Sequence, residues 1–113
     1  MSDKKRDVAL FKDNPYAIAA YLSEKFEEND RKAMLQAINK VMRAQNVQAL
    51  AREAGLDRTS LYKTFKADND PFLSRVMALF DALGIRLTVK ALPLKPKPER
   101  PKLGRPPKKL SNP

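Results

Sequence analysis

Arg58, Thr59, Ser60 and Lys63 fall within six consecutive positions, and all four side chains end in hydrogen-bond donors. A short helix that enters the major groove of duplex DNA does so by its N-terminal turn, where the base edges offer partners to such side chains. Arg58 has the planar fork that bonds guanine O6 and N7 together, a contact worth about 1–3 kcal/mol of discrimination between bases. Thr59 and Ser60 suit neighbouring bases or phosphates, and Lys63, one turn on, completes a base-reading set. Around them, Asn46, Gln48, Tyr62 and Lys66 suit phosphates, which fix register without reading sequence. The competing reading of each is a solvated polar residue.

Such donors need two helices at a fixed angle. Asp57 is a helix N-cap before Arg58 to Phe65, and another short helix, from Val47 to Ala54, is broken by Gly55. Leu50, Ala51, Ala54, Leu56 and Leu61 supply the buried side chains. Ala51 is the small residue at the crossing, and Gly55, four residues later, enters the turn with positive φ. This is the spacing of a helix-turn-helix. Thr64 stands where an apolar side chain is expected, so Phe65 has to take over that packing.

Three more helices complete the body. Asn14 and Pro15 start one that runs to about residue 28, with Ile18, Tyr21, Leu22 and Phe26 on one face. Asp30 caps a second through about Ala44, whose inner face is Met34, Leu35, Ile38, Val41 and Met42. Asp70 with Pro71 starts the last, which carries Phe72, Leu73, Val76, Met77, Leu79, Phe80 and Leu83 up to Gly84. The period then changes to two: Ile85, Leu87 and Val89 alternate with Arg86, Thr88 and Lys90, the pattern of a half-buried strand. A lone strand cannot satisfy its backbone, so Ile85 to Lys90 is expected to pair antiparallel with its copy in a homodimer.

Composition narrows the chemistry. The 113 residues include 23 Lys plus Arg against 13 Asp plus Glu, a formal charge of +10, which favours an anionic partner. Cys and His are both absent, which removes disulfides, thiolate nucleophiles, imidazole acids and bases, and Cys/His metal sites. No Gly-rich phosphate cradle exists among three scattered glycines, so no catalytic residue, metal or cofactor is expected, and an enzyme is the least favoured class. No apolar run approaches the roughly 20 residues that span a bilayer, and no signal-type stretch follows Met1 to Arg6. A cytoplasmic, nucleoid-associated protein with no membrane partner is the expectation.

Seven of the nine prolines crowd into the stretch from Pro93 to Pro113, and residues 90–113 carry eight basic side chains against Glu99 alone. Three segments are therefore expected: a flexible 1–13, a folded 14–90, and a basic tail over 91–113 that is disordered or polyproline-like. Within the tail, Lys102, Gly104, Arg105, Pro106, Lys108 and Lys109 resemble an AT-hook. In such a hook a Gly-Arg-Pro core lies along the narrow minor groove of A·T-rich DNA. Leu103 replaces the usual basic residue before that glycine, so a minor-groove hook and a sequence-blind polycation both remain open.

The stretches Ala-Ile-Ala-Ala-Tyr-Leu from Ala17, Ala-Arg-Glu-Ala-Gly-Leu-Asp-Arg-Thr-Ser-Leu-Tyr-Lys from Ala51 and Val-Met-Ala-Leu-Phe-Asp-Ala-Leu-Gly-Ile-Arg-Leu from Val76 give the chain a resemblance to the HigA-like addiction-module antidote proteins. The resemblance covers about two thirds of the chain. It implies an all-α fold, a five-helix lambda-repressor-like helix-turn-helix domain followed by one short strand. It also implies a dimeric antitoxin that binds double-stranded DNA at a palindromic operator, represses its own operon and neutralises a RelE/ParE-superfamily toxin. Such toxins are usually basic, so the acidic end of the first helix, Glu24, Glu27, Glu28 and Asp30, is the expected contact. A stand-alone repressor, or an architectural DNA binder dominated by the tail, is the alternative.

Overall fold

The computed structural model of the chain describes residues 3–93, which form six helices: α1 (Asp3–Phe11), α2 (Pro15–Phe26), α3 (Arg31–Arg43), α4 (Val47–Glu53), α5 (Arg58–Thr64) and α6 (Leu73–Leu83). Local capping sets most of their starts. The side chains of Asn14, Asp30, Asn46 and Asp57 each accept a hydrogen bond from the backbone N–H three residues on, satisfying a donor that the first turn leaves unpaired. Gly84 closes α6 with φ +81°, and Gly55 follows α4 with φ +79°, the left-handed conformation that lets each helix stop in a tight turn.

One continuous core joins the helices. Ile18 and Leu22 of α2 meet Leu35, Ile38, Val41 and Met42 of α3, while Leu50, Ala51 and Leu61 connect them to Leu79, Phe80 and Leu83 of α6. α2 packs along α3, and α4 packs on both α5 and α6. Phe65, directly after α5, is 0% exposed and among the largest fully buried side chains, so it fills the place that Thr64 leaves. Met34, expected on the inner face of α3, is only half-buried, and Ala37 is buried in that row.

Two expectations are corrected. Residues 3–11 form a helix, not a flexible segment. Phe11 is buried and packs against Tyr21 with ring centroids 5.1 Å apart and the rings tilted by 46°. Gln45 fastens that end: its amide donates to the Phe11 carbonyl at 3.0 Å, and its Oε1 accepts the Asp13 N–H at 3.1 Å. The last helix starts at Leu73 behind Phe72, with no side-chain cap, and Asp70, two residues before that cap position, lies 3.6 Å from Arg31. Residues 85–93 carry no strand pairing within the single chain; the strand expected over Ile85 to Lys90 is one that pairs with a second copy and belongs to the dimer. The AT-hook-like run and the rest of the tail from residue 94 lie outside the described residues.

Replacing Phe65 with Ala is expected to lower unfolding stability by about 3–5 kcal/mol in urea denaturation, the usual cost of emptying a fully buried aromatic site. Asn46→Ala, which removes only a cap, should cost about 1 kcal/mol.

Candidate nucleic-acid interface

The seating of α5 decides which side chains point outward. Leu61 and Phe65 are both 0% exposed and anchor its inner side. The Asn39 amide of α3 donates to the Phe65 carbonyl, and the Asn69 amide donates to the Thr64 carbonyl at 2.7 Å, so two of the acceptors at the helix end are satisfied by side chains. With that side held, Arg58, Thr59 and Lys63 stand exposed on the outer one.

Ser60, the fourth base-reading candidate, is placed differently. It is half-buried, its N–H donates to the Asp57 carboxylate at 2.7 Å, and its hydroxyl lies on the same carboxylate's side. The Ser60 N–H, with help from its hydroxyl, holds the Asp57 carboxyl below its ordinary value; desolvation opposes this, and Lys63 and the Thr59 N–H add smaller pulls in the lowering direction. Ser60 is thus a capping partner, and the outward donors are Arg58, Thr59 and Lys63.

The four phosphate candidates separate as well. Gln48 is exposed near the start of α4, and Asn46 beside it commits its side-chain oxygen to the Ala49 N–H, which leaves its amide N–H groups as donors. Tyr62 is half-buried on the α3 side, with the Arg43 guanidinium 5.6 Å from its ring centroid. Lys66, just past α5, is exposed and lies 3.9 Å from Asp68.

Two further groups lie elsewhere. Glu24, Glu27 and Glu28 are exposed at the end of α2, where Glu27 pairs with Lys90; Asp30 accepts the Ala33 N–H at 2.9 Å and is committed to capping α3. Along 85–89, Ile85 is half-buried and its N–H closes on the Phe80 carbonyl at 2.9 Å, whereas Leu87 and Val89 are exposed, Val89 at 94%.

One set was not singled out from sequence. Lys32, Lys40 and Arg43 on the outer side of α3 face a shared groove with Lys4 of α1 and with Tyr62 and Lys66. The spacing of the α3 cations was legible as the polar side of an amphipathic helix. Lys4 was not, because α1 itself was not foreseen.

Fold and site together define an all-helical protein with a donor-rich, cationic face around its two shortest helices. The profile of the family described as "Probable addiction module antidote protein" matches residues 3–91, and the chain belongs to that family. A curated protein of Haemophilus influenzae (strain ATCC 51907 / DSM 11121 / KW20 / Rd), itself described as uncharacterized, is 32% identical over 84 residues, covering 74% of this chain and 87% of its own. No solved structure matches. Membership gives the protein the role of an antidote, with a toxin as its partner, in a non-enzymatic family. No helix among the described residues is long and apolar enough to cross a membrane.

The Asp57 cap carries a pH dependence. A carboxylate whose folded pKa lies below its unfolded value adds stability above the unfolded value, near 3.8, and loses it as pH falls through the folded one. Asp57→Asn, which can still cap, should therefore give a shallower loss of stability below about pH 4 in acid titrations followed by circular dichroism.

Proposed function

We infer that this antidote is a dimeric, sequence-specific DNA-binding antitoxin of the HigA-like, lambda-repressor-like type. It represses its own operon and neutralises a small basic toxin of the RelE/ParE superfamily. The observation that carries the DNA reading is the outward face of α5: its hydrophobic side is locked in the core, and Arg58, Thr59 and Lys63 are the side chains left exposed on its first turn and a half. Gly55 at φ +79° supplies the turn of a helix-turn-helix, and α5 is its recognition helix. Gln48, Asn46 and Lys66 flank that helix as phosphate contacts.

A dimer sets two such helices about one duplex turn apart on a palindromic operator and blocks polymerase there. Support for the dimer is an apolar surface on the C-terminal side. Phe72, at 77% exposure, Leu73 and Met77 lie open on or beside α6, and Leu87 and Val89 follow in the segment expected to pair with its copy. Lys102, Gly104, Arg105, Pro106, Lys108 and Lys109 would extend the contact into A·T-rich flanks. For the toxin, the exposed carboxylates Glu24, Glu27 and Glu28 offer the surface of matching charge.

Arg58→Ala should relax preference at one base position by about 1–3 kcal/mol, while Lys66→Ala should weaken binding to all duplexes alike and flatten the salt slope by about one unit. Binding titrations on a selected duplex and its single-base variants separate the two; an unaltered preference in the Arg58 variant would remove α5 from the reading role. Reversing Glu24, Glu27 and Glu28, with Asp30 left in place to cap α3, should abolish inhibition of a co-purified toxin and spare DNA affinity. Nuclease-treated affinity purification supplies that toxin, and recovery of the protein alone would favour a stand-alone repressor.

A further inference from the structure

Lys32, Gln36, Lys40 and Arg43 recur along α3 at steps of four, four and three residues, so they share one stripe about 16 Å long at 1.5 Å per residue. Lys4 and Asp7 of α1 border this stripe, as do Tyr62, Lys66 and Asp68, and together they line an open groove of about 970 Å³. Five cations there meet two carboxylates. Asp7 lies 3.9 Å from Lys40 and Asp68 lies 3.9 Å from Lys66, long separations that leave both ammonium groups with donors to spare. Lys4, Lys32 and Arg43 have no ion-pair partner among the described residues. The Arg43 guanidinium, 5.6 Å from the Tyr62 ring centroid, is held in place by that ring, which lowers the entropy lost when it binds an anion.

The groove is continuous with the end of α5. Seven residues make α5 about 10 Å long, and the major groove is about 12 Å wide. With Arg58 at the base edges, Lys66 therefore stands at the level of a bordering sugar-phosphate backbone. We propose that this groove holds that backbone on the side of the half-site facing α1 and α3, so that the protein's footprint extends past the bases that α5 reads. The assignment rests on the DNA-binding reading above. A space of this size exceeds what one small anion fills, and a row of cations repeated along a line matches a row of phosphates. An acidic protein segment would also match the charge, but the shared border with α5 and Lys66 favours DNA.

The full chain, with a duplex that it selects from a randomised library, provides the test. The combined substitution Lys4→Gln, Lys32→Gln, Arg43→Gln should reduce the slope of log K against log salt by about 2 to 3 units, at about 0.9 per lost phosphate contact. Hydroxyl-radical protection of the outer backbone should vanish with it, and base preference within the half-site should persist. Gln36→Lys, exposed on the same stripe and neutral for helix formation, should steepen the slope by about one unit, which guards against a loss that merely reflects unfolding. Unchanged slope and footprint in both variants, with the wild-type chain still reading its site, overturn the groove assignment. A wild-type chain that shows no base preference overturns the DNA-binding reading beneath it, and release of a co-purifying acidic protein by the triple variant assigns the groove to that protein instead.

Discussion

Burial of Leu61 and Phe65 is the constraint on which the rest of this molecule depends. A seven-residue helix has too few internal hydrogen bonds to persist alone, so α5 exists because its inner side is held by the core and its end is closed by Asn39 and Asn69. Once that side is committed, the rotation of the helix is fixed and so is the set of side chains facing solvent. Arg58, Thr59 and Lys63 emerge together, while Ser60 is drawn back to Asp57. Packing in the interior thus selects which donors are available at the surface.

Electrostatics divides the surface into two regions. Lys4, Lys32, Lys40, Arg43 and Lys66 gather beside α5, and Glu24, Glu27 and Glu28 gather at the end of α2. An antidote that meets a toxin and, as proposed above, also binds DNA needs surfaces that do not compete for the same charge, and this separation satisfies that requirement. Lys90, bonded to Glu27, ties the segment after α6 to the acidic region, so the residues expected to build the dimer lie next to those expected to meet the toxin.

The parts of the fold legible in the sequence are those written in local chemistry. Asn14, Asp30 and Asp57 announce helix starts through a short side chain that bonds the backbone three residues on, and Gly55 and Gly84 announce stops through their positive φ. Phe65 could be named as the replacement for Thr64 because only one large apolar side chain adjoins that position. α1 was illegible for the converse reason. Nine mostly charged residues lack a periodic face, and the helix forms because Phe11 finds Tyr21 and Gln45, the latter more than thirty positions away. Asp70 carried a cap signal, but the helix starts three positions on, at Leu73 behind Phe72.

The sequence by itself determined the order of five helices, most of their caps, the glycine turn between α4 and α5 and the concentration of charge toward the C-terminus. These follow from interactions within a few residues, which a chain expresses wherever it is placed. Only the tertiary structure decided that the N-terminal residues join the fold, that Ser60 serves Asp57, and that cations of α1 and α3 share one groove with Lys66 just past α5. Each of those depends on side chains far apart in sequence meeting across packed helices, and their meeting is set by the shape of the common core.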